Sequence, residues 1–274
     1  MAIQPERDTL TASEFEKISD LAYRSCGIDL KHGKRDLVQA RLGRKMREGK
    51  FSSFEDYYQH VIADRTGEEL IALLDALTTN FTSFLREPAH FEFLRNSILP
   101  NIAGPIRIWS AGCSTGEEPF TIAFSVLEEF GMAALGRCHI LANDISTRAL
   151  ETAGRAAYPA GGFSDFPAEC LGKYLLRGSD RWEGWYRVKP PVRDMVEFHR
   201  LNLVEPFHHA QPFHVIFCRN VMIYFNKATR AELVNRLAPC LAPGGYLFIG
   251  HSESLSGLQH PYEYVQPAIY RKPL

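Results

Sequence analysis

The run Ser110-Ala111-Gly112-Cys113-Ser114-Thr115-Gly116-Glu117 has the composition of a turn through which backbone can approach a nucleotide. It follows a short apolar segment, Pro105 to Ser110, and opens a helical stretch from Glu117 to Phe130. A glycine-rich turn between strand and helix aims backbone N–H groups at a ligand. Alone, the pattern also fits any Rossmann-type turn, or a packing turn with no ligand. Asp144 ends the next apolar segment, which begins at Cys138. A carboxylate there suits the two hydroxyls of a ribose, and it is equally placed to cap the helix after Ile145-Ser146. NAD would suit this geometry, but the turn is not a tidy GxGxxG and nothing else suggests hydride chemistry. Asn220 follows a fourth apolar segment, Phe213 to Cys218. Ligands of open α/β sheets lie beyond the carboxyl ends of strands, so Asn220 faces the same site. Its segment lacks the prolines of the (Asp/Asn)-Pro-Pro-Tyr motif, which argues against methylation of a nucleobase amine.

The elements needed to position these residues are legible as alternating patterns. Strands are expected at 105–110, 138–142, 195–201, 213–218 and 246–250, with helices at 117–130, after a Ser146 cap, and at 227–241. Pro119 fits the first turn of its helix, where a missing N–H is harmless. Such alternation implies a parallel, doubly wound sheet. Before Pro100 the chain reads as helical. Ser13 with Glu16 has the spacing of a capping box, and Val38, Leu42 and Met46 repeat at helical intervals. Between about 158 and 192 the alternation breaks. Gly161-Gly162, Arg177-Gly178, Glu183-Gly184 and Pro190-Pro191 punctuate two strand-like runs, 173–176 and 185–188, which suggests an inserted small β subdomain.

Bulk composition narrows the function classes. The 274 residues are 45% hydrophobic, enough for a large domain plus a smaller one. Lys+Arg total 31 against 32 Asp+Glu, a balance that speaks against a general nucleic-acid binder. No apolar run approaches the ~18 residues of a membrane span, and Met1 to Asp8 shows no signal pattern. A cytoplasmic location without membrane insertion is expected. The six cysteines are scattered without a CxxC, and the histidines lack ligand spacing, so neither a disulfide framework nor a metal site is expected.

Four ordered motifs carry a resemblance: Thr79-Asn80-Phe81-Thr82-Ser83-Phe84-Leu85-Arg86-Glu87, Trp109 to Pro119, Cys218-Arg219-Asn220-Val221-Met222-Ile223-Tyr224-Phe225, and Gly250-His251-Ser252-Glu253. Together they resemble the chemotaxis receptor methyltransferase family (CheR), from about residue 10 to the C-terminus. The resemblance implies a fold of class α/β: a Rossmann-like S-adenosylmethionine methyltransferase domain with an inserted antiparallel β subdomain, preceded by an all-helical domain. The expected division is 1–95 for receptor recognition and 96–274 for the methyltransferase domain. The implied activity is methylation of glutamate side chains on chemotaxis receptors. Asn80, Thr82, Arg86, Glu117, Asp144, Asn202, Leu203, Asn220 and Val221 would hold S-adenosylmethionine. Leu85 departs from the Phe of many members, and Gly112-Cys113 from a common pair of small residues; the polar positions are intact.

A glutamate of pKa near ~4.3 is already ionised at neutral pH, so esterification needs aiming rather than a general base. Arg86 and Tyr224 are the candidates for that aiming, although Arg86 could equally hold the cofactor's own carboxylate. Between 34 and 47 stand six basic residues and one acid. Arg41, Arg44 and Arg47 fall on one side of that helix, either a solvated face or a dock for an acidic receptor helix. Gly178, Gly184 and Arg187 match family members that tether to a receptor's C-terminal peptide, while Trp182 and Trp185 depart from that subset. The alternative function is a signalling module that binds the cofactor without catalysis.

Overall fold

The computed structural model describes residues 9–30, 32–78, 82–164 and 166–274. Contacts divide the chain into two units, Met1–Asn80 with Tyr224–Thr229, and Phe81–Ile223 with Arg230–Leu274.

The first unit is helical: α1 (Ala12–Cys26), α2 (Arg35–Gly49), α3 (Phe54–Ala63) and α4 (Glu68–Leu77). The capping box of α1 belongs to Thr11 and Glu14, not to Ser13 and Glu16. Thr11 is the extended residue: its hydroxyl accepts from Glu14 N at 3.2 Å, and Glu14 Oε2 accepts from Thr11 N at 2.9 Å. Ser13 is already helical and has no free end to cap. Gly27, in the left-handed region at φ 74°, closes the helix. Phe15, Ile18 and Ala22 bury one face of α1, and Val38, Leu42 and Met46 bury the expected stripe of α2. The segment Tyr224–Thr229 joins this unit through a bridge between Ile28 and Phe225 and a bond from Asp29 N to Tyr224 O of 2.8 Å.

The second unit opens with α5 (Ala89–Phe93), then β1 (Ile106–Ala111), α6 (Glu117–Phe130), β2 (Cys138–Asp144) and α7 (Thr147–Arg155). It continues with β3 (Ala157–Pro159), α8 (Ala168–Tyr174), β4 (Leu175–Arg177), β5 (Trp185–Val188), α9 (Pro190–Arg193) and β6 (Val196–Arg200). The last elements are β7 (Phe213–Cys218), α10 (Lys227–Leu237), β8 (Leu241–Ile249), β9 (Glu263–Gln266) and β10 (Ile269–Arg271). The large sheet runs β6-β2-β1-β7-β8-β10-β9, and β3-β5-β4 form a separate antiparallel sheet. Strand order reverses between β1 and β7, which is where ligands settle in doubly wound folds. Ser110 pairs with Ala142 of β2 and with Phe217 of β7, so the three carboxyl ends lie level.

The sheet is mixed rather than wholly parallel. β10 runs antiparallel to both β8 and β9, a hairpin that the strand–helix alternation did not announce. The helix expected at 227–241 ends at Leu237, and Leu241 opens β8, which contains Pro243-Gly244-Gly245. There Gly244 N donates to Lys272 O at 3.1 Å and Lys272 N to Gly245 O at 2.8 Å, so the C-terminal segment extends the pairing. The strand expected at 173–176 starts at Leu175, because Tyr174 and Lys173 belong to the last turn of α8, where both reach Glu128 of α6 at 2.6 and 3.2 Å. Phe84, Phe91 and Leu94 lie in one buried cluster with Ile108, Phe217 and Phe248, and so pack with the sheet. All six cysteines are buried and unpaired.

His90 of α5 sits in this core with 1% exposure, edge-on to the rings of Phe248 at 5.2 Å and His251 at 4.7 Å. Burial, reinforced by the Arg219 cation and opposed by Glu87, pushes its pKa down to about 3. Below about pH 6.5 the unfolded chain therefore binds a proton that the native state refuses, so stability is complete above that pH and falls as pH drops toward 3. From pH 7.5 to pH 5 the loss from this group should be about 2 kcal/mol. Urea unfolding at the two pH values should show it, and His90→Gln should shrink the difference; an unchanged difference would clear His90 of the effect.

Candidate active site

The turn after β1 is built against the end of β2. Gly112 N and Cys113 N both donate to Asn143 O at 2.8 Å, and Ser114 N donates to Asp144 Oδ2 at 2.8 Å. The other oxygen of Asp144 accepts from Ser146 N at 2.9 Å, and Ser146 itself caps α7. Asn143 is buried: its amide oxygen accepts from Trp109 Nε1 at 2.7 Å and its amide nitrogen donates to His199 O at 2.9 Å. Gly112 has φ 88°, and a Cβ there would overlap Val221. The turn and the segment after β7 thus approach more closely than any side chain allows. Gly116, at φ 98°, leads into α6, where a Cβ would press on Ala153 and the Tyr158 hydroxyl. Glu117 begins α6, and its carboxylate accepts from Thr115 Oγ1 at 2.7 Å. Burial raises its pKa against that bond.

Beyond β7 the chain turns at Asn220, a non-glycine residue at φ 60°. Glu253 holds it there: Oε2 accepts from Asn220 N at 2.9 Å and from Gly250 N at 2.6 Å, and Oε1 from Ile223 N at 3.1 Å. Burial raises the Glu253 pKa, opposed by these backbone donors. Arg219, one residue earlier, is 5% exposed. Its Nη1 donates to Glu118 Oε2 at 2.9 Å, and Nε and Nη2 reach Glu87 Oε2 at 3.2 and 3.0 Å. Nη2 also donates to the Arg86 carbonyl. Glu118 takes a further bond from Ser110 Oγ at 2.7 Å, and burial raises its pKa against the pull of Arg219. For Glu87, burial pulls upward, but the Arg219 charge and the His251 N–H outweigh it and the pKa is lowered.

Most of the cofactor-site residues expected from the sequence that the structure describes lie at, or just beyond, the carboxyl ends of the strands. Glu117 and Asp144 flank the turn after β1, Asn220 and Val221 follow β7, and Asn202 and Leu203 follow β6. Asn202 is turned into its own loop, its amide donating to Glu205 Oε1 at 2.8 Å, while Leu203 is buried. Thr82 and Arg86 are half-buried in the loop before α5, and Asn80 lies outside the described residues. Tyr224 belongs to the first unit. On α2, Arg44 pairs with Glu48 at 2.7 Å and Arg47 is exposed, whereas Arg41 is half-buried and donates to the Leu77 carbonyl. Gly178 has no room for a Cβ beside the Trp182 carbonyl, Gly184 adopts φ 80°, and Arg187 is exposed on the central strand β5. Glu87, His90 and His251 bring potential metal ligands within 4.8 Å of one another. Both Glu87 oxygens are already engaged, Oε2 by Arg219 and Oε1 by His251 N at 3.1 Å. Arg219, Glu118 and Glu253 escaped the sequence reading as individual site residues. They stand inside the quoted motifs, but partners 101 and 132 positions apart leave no spacing signal.

Two family models match the chain. "CheR methyltransferase, SAM binding domain" matches residues 80–270, and "CheR methyltransferase, all-alpha domain" matches 13–78. The chain belongs to the CheR methyltransferase family. Among curated relatives it is similar to the chemotaxis protein methyltransferase of Salmonella typhimurium, 38% identical over 97% of this chain and 92% of that protein. The chemotaxis protein methyltransferase of Borreliella burgdorferi is 38% identical over 96% of this chain and 95% of that protein. Among solved structures, the N-methyltransferase NodS from Bradyrhizobium japonicum matches at TM-score 0.39 and 14% identity, over 69% of this chain and 97% of that one. The second domain is an S-adenosylmethionine-binding methyltransferase domain. A glycine turn without room for a side chain, beside a carboxylate at the end of β2, fits that cofactor.

Asp144→Ala removes the acceptor of two backbone N–H groups. It is expected to cost about 1–3 kcal/mol of stability and to weaken S-adenosylmethionine binding. Denaturant unfolding and calorimetry would check the two effects separately, and unchanged affinity would remove Asp144 from the site.

Proposed function

We propose that this methyltransferase esterifies glutamate side chains of methyl-accepting chemotaxis receptors, yielding glutamate γ-methyl esters and S-adenosylhomocysteine for chemotactic adaptation. The observation that carries the reading is similarity to chemotaxis protein methyltransferases over nearly the whole chain. In this reading Asp144 accepts from the ribose hydroxyls, and Asn202 and Leu203 contact the adenine. Glu117, Asn220, Val221, Thr82 and Asn80 complete the cofactor's surroundings. S-adenosylmethionine supplies an activated methyl group and its own leaving group.

What remains for the protein is to strip water from an already ionised carboxylate and fix its approach, a positioning effect worth about 7–11 kcal/mol in favourable cases. Arg86 holds a carboxylate by paired hydrogen bonds, that of the substrate or that of the cofactor. Tyr224 is assigned to the substrate on the strength of its motif. Intact Arg86 and Tyr224 favour an enzyme over a non-catalytic module. No described helix is long and apolar enough to cross a membrane.

Receptor recognition is assigned to the basic face of α2. Arg44 and Arg47 are its exposed members and would steer toward the acidic methylation helix of a receptor. The small sheet is assigned to a C-terminal receptor peptide. Trp185 and Arg187 share the exposed face of β5, Trp182 lies 6.0 Å from Trp185, and β4 is an edge strand with Leu176 exposed. A peptide adding a strand at that edge would raise local enzyme concentration without touching the chemistry.

Purified enzyme, tritiated S-adenosylmethionine and receptor-containing membranes should give base-labile methyl label on the receptors. Absence of label with cofactor binding intact would overturn the receptor assignment. Combined Arg44→Ala and Arg47→Ala should slow receptor methylation by about threefold or more at low salt, with cofactor affinity unchanged by calorimetry. Equal rates would leave α2 a solvated face. Arg41 is kept out of this test because its guanidinium secures the end of α4.

A further inference from the structure

We infer that Arg219 is a positioning residue whose work is to aim Arg86. The inference rests on the carboxylate-binding role proposed for Arg86 and goes beyond it by naming what fixes that side chain. Arg86 lies in a loop, not in a strand or helix that would set its direction. The residues on either side of it, Leu85 and Glu87, both have positive φ, 54° and 60°. Non-glycine residues hold such a backbone only where the surroundings over-determine it. Leu85 N donates to Thr121 Oγ1 at 3.4 Å and His251 N to Glu87 Oε1 at 3.1 Å, and the group that takes several parts of this loop at once is one guanidinium. Arg219 takes the Arg86 carbonyl and the Glu87 carboxylate on one side and the Glu118 carboxylate on the other.

Three features make this more than a packing contact. Glu118 stands in the first turn of α6, directly after Glu117, so the same guanidinium ties the Arg86 loop to the turn that follows β1. Asn220 is the next residue, and its amide donates to Glu87 Oε1 at 3.5 Å, a second tie to the same loop. Arg219 also lies against the ring of Phe91, 5.4 Å from its centroid, which fixes the plane of the fork. A fork with separate donors can serve two carboxylates and a carbonyl at once; a lysine ammonium is a single point on a flexible stem. Charge alone is therefore insufficient, and Arg219→Lys separates geometry from charge.

The test is a double-mutant cycle on the full-length enzyme with Arg219→Lys, Arg86→Ala and the combination. It reads receptor methylation kcat and KM, cofactor affinity by calorimetry, and Tm. Arg219→Lys should lower kcat/KM about tenfold or more, and in the Arg86→Ala background the same change should have less than about a twofold effect, because the side chain it aims is gone. A purely structural role lowers the folded fraction by the same factor in both backgrounds, so additive effects would overturn the inference. If Arg219→Lys does not fold, Glu118→Gln replaces it. That variant keeps the shape and the Ser110 contact, removes one charge from the fork, and should show the same collapse of its effect when Arg86 is absent. Arg86→Ala alone separates this inference from the reading beneath it. A full-rate Arg86→Ala enzyme would refute the role of Arg86 itself, whereas a slow one with additive cycles would refute only the role of Arg219. The split between receptor KM and cofactor affinity in Arg219→Lys then reports which carboxylate Arg86 holds.

Discussion

Arg219 keeps a positive charge at the carboxyl end of β7 with only 2% of its side chain in contact with solvent. Taking such a charge out of water costs several kcal/mol unless carboxylates and carbonyls replace the lost hydration. No residue close in sequence can do so. The replacements come from Glu87 and from Glu118, more than a hundred positions upstream. The loop around Arg86, the first turn of α6 and the segment after β7 are thereby joined. Removing the guanidinium would leave two largely buried carboxylates without their cation, so the arrangement depends on Arg219.

The same economy appears in Glu253. Its carboxylate takes the backbone N–H groups of Asn220, Ile223 and Gly250, donors that a turn at the end of a buried strand would otherwise leave unsatisfied. The turn after β1 is treated alike, with Asn143 and Asp144 taking the N–H groups of Gly112, Cys113 and Ser114. Both loops are consequently ordered by folding. The entropy of fixing their backbone is spent when the chain folds, not when a ligand arrives, and the binding energy of the cofactor is left for other uses.

The sequence disclosed the parts of the fold whose signal is local. Glu117 to Phe130 is a helix with the expected bounds, Phe213 to Cys218 a strand with the expected bounds, and Ser146 caps the expected helix. Local signals failed where a distant partner decides. The helix expected to run to 241 stops at Leu237, and pairing with Lys272 draws Gly244-Gly245 into a strand. Thr11 and Ser13 carry the same chemistry, and only the backbone of Thr11 is extended enough to cap. The candidate site divides along the same line. Gly112, Asp144 and Asn220 stand at strand ends, which periodicity locates. Arg219, Glu118 and Glu253 matter through contacts across the sheet, and no periodicity marks those.

The small sheet leaves and rejoins the main chain at neighbouring points, with Val188 N bonded to Ala156 O at 2.9 Å. Tyr158 and Val188 of its strands and Phe163 beside them belong to the main core, whereas Leu176 and Trp185 of its strands and Trp182 in the connecting turn are exposed. Selection on stability therefore grips one side of this appendage and is nearly blind to the other. Its outer residues can change at little cost to the core that the inner ones help to build. Under the tether proposed for this sheet, a lineage could acquire a new address for the enzyme without reinventing its chemistry.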